Sequence, residues 1–291
     1  MKASAIIRII AFSLAIILLS FILLSVIDYN YYFENGRLHS YEMAGPAPTE
    51  AAMQGSQHDV STQIQNIEIE WGAGSISIHK SDSLDHIRVS EAAIDGSAPE
   101  MICRQSGQTL KIQYSEEPMK FSSFGINADI SKDLVIRVPK NWNCNDLEID
   151  AAATDVNIQD LTIRELDFDG ASGNLILDNC NITELDVDTA SGYVEFIGDL
   201  EKLDFDAASA EFYGEFNNTP KNLNLDSMSG DLEIVLPQDS GFELQLDAMS
   251  DSFDTDFTVG TVDDLYICGD GECKIKVSAL SSNVSILKGI E

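Results

Sequence analysis

"LDFDGASGNLIL", Leu166 to Leu177, returns as "LDVDTASGYVEF" (Leu185 to Phe196), "LDFDAASAEFYG" (Leu203 to Gly214) and "LNLDSMSGDLEI" (Leu223 to Ile234). Within each copy the apolar residues alternate, the period of a strand and not of a helix. Leu166 and Phe168 face one way and Asp167 and Asp169 the other; after the "GASG" corner, Leu175 and Leu177 face in again. One such unit buries only a handful of side chains and needs neighbours to close a core.

The fourth residue of each copy serves as a marker. Asp150, Asp169, Asp188, Asp206, Asp226 and Asp247 follow at spacings of 19, 19, 18, 20 and 21. An apolar-x-apolar pair precedes each, and an apolar residue stands six places on: Val156, Leu175, Val194, Phe212, Leu232 and Phe253. Glu70 with Ile76, and Ser278 with Val284, fit the same frame. A fixed period near 20 is the mark of a solenoid, and so short a unit has no room for a crossover helix. The expected fold is therefore all-β: a single-stack parallel β-solenoid of roughly eight coils, each strand pairing with its equivalent one coil away at about 4.8 Å. Gly173, Gly192, Ala210 and Gly230 fall where the chain must turn.

In front of this domain, Ile9 to Ile27 is a nineteen-residue run without a charge. That length suits one transmembrane helix. Lys2 and Arg8 precede it and Asp28 and Glu34 follow, which places the amino terminus in the cytoplasm and the rest outside. Tyr29, Tyr31, Tyr32 and Phe33 would form an interfacial belt. A cleaved signal peptide is the alternative, and export follows from both. The expected division is 1–8 cytoplasmic, 9–27 membrane helix, 28–62 flexible stalk containing His39 and His58, and 63–291 repeat domain. The bilayer is then the first partner and the cell membrane the location.

The 291 residues carry a formal charge of −32, and between Glu165 and Cys273 stand 27 acids against two bases, Lys202 and Lys221. Such a surface repels nucleic acid and anionic headgroups. Cations, basic proteins and neutral extracellular glycans remain as ligands.

The repeats, the lead-in "LVIRVPKNWNCNDLEID" (Leu134 to Asp150) and the closing "GDGECKIKVSALSSNVSI" (Gly269 to Ile286) resemble the bacterial DUF4097 family, which also carries an adhesin label. The resemblance covers about Ile64 to Ile290. It implies a β-strand-repeat domain, often behind an amino-terminal membrane segment, in the cell envelope.

Stacked coils would set the six marker aspartates in a column, each pair repelling by roughly 1 kcal/mol even in water. Three readings answer that repulsion. In the first, each Asp caps its own "x-A-S-G" corner as an Asx turn. In the second, the column Asp150, Asp169, Asp188, Asp206, Asp226 and Asp247 binds Ca²⁺, helped by Glu148, Asp167, Asp186 and Asp204, although no "DxDxDG" loop is present. In the third, a carboxylate pair cleaves glycosides, but catalytic pairs are singular and unlike in environment, whereas this pattern repeats six times.

Four histidines (His39, His58, His79, His86) lack metal-ligand spacing, and no nucleophile elbow or phosphate loop occurs in a fitting context. Catalysis is not indicated, and no cofactor besides the candidate Ca²⁺. Cys180 reads as a small core residue. Cys268 and Cys273 flank "GDGE", a tight-turn signal, and are a disulfide candidate across a hairpin. Met119, Phe121 and Phe124 form an apolar loop, read as a core cap or a contact patch. The functional expectation is a non-enzymatic adhesion, binding or envelope-structure module. The alternatives are an accessory protein of a membrane signalling system that docks a basic partner, and, third, a polysaccharide-acting enzyme.

Overall fold

The computed structural model describes residues 31–34, 37–40, 53–54, 57–93, 100–115, 131–248, 252–263 and 265–289. These residues are all-β, without an α-helix among them. The alternation of apolar and polar residues explains why: every marker-flanking apolar side chain turns inward. Leu147, Ile149, Leu166, Phe168, Leu185, Val187, Leu203, Phe205, Leu223 and Leu225 are all buried. Each such side chain contributes on the order of 1.5–3 kcal/mol by leaving water.

The middle of the sheet is parallel and keeps the repeat period. Cys144–Gln159 pairs with Thr162–Phe216 so that Asp150 opposes Asp169 and Val156 opposes Leu175. On its other side it pairs with Asn66–Ser81, placing Glu70 beside Asp150. Thr162–Phe216 is one extended run bent at its corners, and it pairs in parallel with Asn222–Ser229 and Leu232–Leu236. Just past the end of that run the same offset brings Asn217 N to Gly198 O at 2.8 Å.

The corners explain two glycines. Gly173 has φ +124° and Gly192 φ +138°, the region that disfavours L side chains. A Cβ on Gly192 would lie 1.8 Å from the carbonyl oxygen of Gly173, and one on Gly173 2.1 Å from that of Thr154. Corner stacks directly on corner.

Two expectations about the stack are corrected. It is not uniformly parallel: the sheet is mixed, with antiparallel strands at both ends. Gln57–Val60 and Lys132–Pro139 flank Ile87–Ala93 in antiparallel fashion, and Ile102–Ser106 pairs antiparallel with Thr109–Gln113. At the other end Phe242–Ala248 and Gly260–Val262 both run antiparallel to Leu265–Cys268. Antiparallel pairs of this kind cover strand edges that would otherwise stay open. Nor do the coils follow chain order. Cys273–Ser281 lies between Asn222–Ser229 and Phe242–Ala248, so Ser278 separates Asp226 from Asp247.

The folded domain also begins earlier than residue 63. Gln57–Val60 is a strand of the sheet, with His58 and Val60 buried. Residues 31–34 and 37–40, within the expected stalk, form an antiparallel pair. The expected membrane helix at 9–27 lies outside the described residues; among those described, no helix is long and apolar enough to cross a membrane.

One buried polar node braces the amino-terminal end. Lys132, with no exposed surface, places Nζ 2.6 Å from Glu91 Oε2 and 2.6 Å from the Tyr114 carbonyl. Its ammonium stands 4.0 Å from the Tyr114 ring centroid and 4.9 Å from that of Trp71. Glu91 Oε1 accepts the Met101 N–H at 2.7 Å. Pairing, hydrogen bonds and two aromatic faces together offset the cost of burying the charges.

Candidate functional site

Register places the marker residues side by side across the sheet. Gln113, Glu70, Asp150 and Asp169 are successive partners at one end; Asp206, Asp226, Ser278 and Asp247 are successive partners at the other. Asp188 stands between Asp169 and Asp206: the charge of Asp169 acts on Asp188, and that of Asp188 acts on Asp206. Two residues earlier on each strand runs a second column on the same face: Lys111, Glu68, Glu148 and Asp167, then Asp204, Asn224 and Lys276, with Asp186 in the gap.

The bases near this face neutralise its margins and not its centre. Lys111 pairs with Glu70 at 2.6 Å. Arg164 pairs with Asp146 and with Glu165, and Lys202 with Glu184. Lys276 Nζ donates to Asn224 Oδ1 at 3.4 Å, and Asn224 Nδ2 donates to Asp204 Oδ1 at 2.6 Å.

The consequence is electrostatic. Burial pushes Asp150 up to about 7, and the charges of Asp169, Glu148 and Glu70 add to that against the pull of Lys111. Asp206 is likewise raised to about 7 by burial and then by Asp188 and Asp226. Asp169 and Asp188 reach about 6 for the same two reasons. Glu148, Asp167 and Asp186 are raised too, burial first. The centre of the face therefore holds protons far above the ordinary carboxylate range.

The Asx-turn reading of the column is not what the structure shows. Among the described residues, Asp150, Asp169, Asp188, Asp206 and Asp226 accept no hydrogen bond from their corners. Asp226 is only 8% exposed, and its buried Oδ1 has no hydrogen-bond partner. Other aspartates take the backbone N–H groups: Asp155 accepts from Asn174 at 2.9 Å and Asp270 from Glu272 at 3.1 Å. The corner serines reach the neighbouring coil instead, Ser172 Oγ to the Ala152 carbonyl at 3.4 Å and Ser229 Oγ to Ser209 Oγ at 3.2 Å.

Among the described residues no three His, Cys, Asp or Glu converge as a ready-made metal centre. His58 is buried in the sheet and His86 sits on Asp85 and Asp59 at 2.8 and 3.3 Å, away from the acidic face. The side chain of His39 and the loop bearing Met119, Phe121 and Phe124 lie outside the described residues.

The disulfide expectation is corrected. Cys268 and Cys273 are both free and buried. They do not face one another: Cys268 is the antiparallel partner of Phe242 and Cys273 its parallel partner, so the Phe242 strand runs between them. Two strand spacings of about 4.8 Å exceed the Cα separation a disulfide tolerates. Cys180 is a buried core thiol raised by burial to about 11.

Two tyrosines on the other outward face escaped the sequence reading. Tyr193 and Tyr213 each donate the phenol hydroxyl to a glutamate two residues on, Glu195 and Glu215, both at 2.9 Å. The signal was available as the repeated Tyr-x-Glu of "YVE" and "YGE".

The family model described as Toastrack DUF4097 matches residues 64–286. Solved structures that the chain matches include a Bacteroides fragilis protein provisionally named an adhesin, at 15% identity and a TM-score of 0.47, covering 84% of this chain and 100% of that one. A Parabacteroides distasonis protein provisionally named a lipid binding protein is 17% identical, with a TM-score of 0.42 and coverage of 82% and 97%. A search of curated proteins finds no match.

Proposed function

Starting from a chain that belongs to the Toastrack DUF4097 family, we propose that it is a non-enzymatic binding module of the cell envelope. In this reading Ile9 to Ile27 tethers it to the membrane, and a solenoid-like stack of coils stands outside. The observation that carries the proposal is the acidic face: carboxylates repeated from strand to strand, with bases only at its margins. A reaction centre needs one acid and one base set apart by their surroundings. Here Asp150, Asp169, Asp188 and Asp206 share the same surroundings and are raised for the same reasons. Repetition suits a long partner that touches many equivalent positions.

Adhesion to envelope material, glycan included, is the first reading. The charge of the face favours a second: an accessory role in a membrane signalling system, in which a basic protein docks on the columns. Pull-down from membranes at low and high salt tests both, beside a glycan array. A partner released by salt supports the docking reading, because exposed charge pairs are screened. Retention of a neutral glycan through high salt supports adhesion. Release of sugar products from a polysaccharide would overturn the non-enzymatic reading.

A further inference from the structure

Among the described residues, Asp226 is the one carboxylate of the marker column both nine-tenths buried and left with a partnerless oxygen. Its strand neighbour on one side is Asp206 and on the other Ser278. The bases that could reach this point are occupied: Lys276 lies on Asn224, Lys202 on Glu184 and Lys221 on Glu201. A buried carboxylate oxygen without a donor is costly, and the adjacent Asp206 makes it costlier. A cation between the two carboxylates removes both penalties.

We propose that Asp206 and Asp226 together bind one hard divalent cation, calcium in preference to magnesium. Adjacent strands lie about 4.8 Å apart, and calcium–oxygen distances of about 2.3–2.6 Å let one ion reach a carboxylate on each. Magnesium, at about 2.0–2.1 Å and strictly octahedral, spans that gap less well. Ser278, buried beside Asp226, offers a neutral oxygen on the third strand. Two carboxylates make a weak site, in the range of about 10⁻⁴–10⁻³ M that extracellular modules use. The proposal does not depend on which partner the acidic face binds.

The test uses the full chain in detergent at pH 8. Thermal midpoints are measured against CaCl₂ and MgCl₂ up to about 5 mM, with NaCl at matched ionic strength, and bound calcium is counted by equilibrium dialysis with ⁴⁵Ca. The expected result is a saturable rise with calcium, half complete at about 0.1–1 mM, and smaller with magnesium. Asp226→Asn and Asp206→Asn each abolish the rise and lose one bound ion, while Glu233→Gln on the other face keeps both. A rise that NaCl reproduces, or one that survives in both Asn variants, overturns the proposal. If either variant fails to fold, the dialysis count on the other decides: an unchanged count overturns it.

Discussion

Asp150 and Asp169 are direct partners in a parallel ladder, Cα to Cα, although nineteen residues separate them in the chain. Among the described residues neither forms an ion pair, Lys111 acting on Asp150 only by its charge, and both titrate far above an ordinary aspartate. The repeat thus stores electrostatic repulsion in the folded state, to be offset by the apolar core behind it.

A dependence on pH follows. The folded values, about 7 for Asp150 and Asp206 and about 6 for Asp169 and Asp188, exceed the ordinary 3.8. Between about 4 and 7 the folded chain binds more protons than the unfolded one, so stability falls as pH rises through that window. In calcium-free buffer the thermal midpoint is expected to be higher at pH 5 than at pH 8. Asp169→Asn and Asp188→Asn should each raise the pH 8 midpoint by about 2–4 °C, the equivalent of relieving about 1 kcal/mol, and should flatten the pH profile. Midpoints scanned from pH 4.5 to 8.5 check this; a profile that rises with pH contradicts it.

The corners predict a steric failure. Gly192 holds φ +138° with the Gly173 carbonyl where a Cβ would go. Gly192→Ala therefore combines backbone strain with a clash against main chain, and should cost about 3 kcal/mol or more. Gly107, at φ +57°, has open space for 4 Å around the place a Cβ would take, so only the backbone strain applies there. Gly107→Ala should cost about 1 kcal/mol. Urea midpoints of the two variants measure the difference.

The repeat was legible because alternation and period are local properties of the sequence. Leu166, Phe168, Leu175 and Leu177 announce their inner face by spacing alone, and all four are buried. The order of coils was not legible. Asp226 and Asp247 are 21 residues apart, a spacing like those of true neighbours, yet Ser278 lies between them. Likewise Glu70 fitted the frame, but nothing local says that its strand adds beside Asp150 after the excursion through residues 82–143. The Asx-turn expectation failed for a related reason: Asp-plus-Gly chemistry describes a turn within one coil, whereas Ser172 and Ser191 of these corners bond to carbonyls of the neighbouring coil.

The cysteines give a covalent prediction. With the Phe242 strand between Cys268 and Cys273, intact mass should be the same with and without reductant, and all five thiols should alkylate after denaturation. In the folded protein alkylation should be slow at neutral pH, because burial raises Cys103, Cys144 and Cys273 to about 12 and the thiolate is the reactive form. A loss of two mass units reversed by reductant would contradict the strand order.

The last prediction concerns the Lys132–Glu91 pair, 2.6 Å apart, with Lys132 fully buried and Glu91 nearly so. Burial pulls the Lys132 ammonium downward while Glu91 holds it up. Removing one partner leaves the other charge in a low-dielectric interior, so Glu91→Gln or Lys132→Met alone should cost about 3–5 kcal/mol. The double variant removes both charges, and Met can still lie against the Trp71 and Tyr114 rings that the lysine covers. It should cost less than the sum of the singles, by a coupling of about 1–3 kcal/mol. Denaturant unfolding of the four species closes the cycle. Additive losses would mean that the pair is incidental and that the aromatic faces alone hold this end of the sheet.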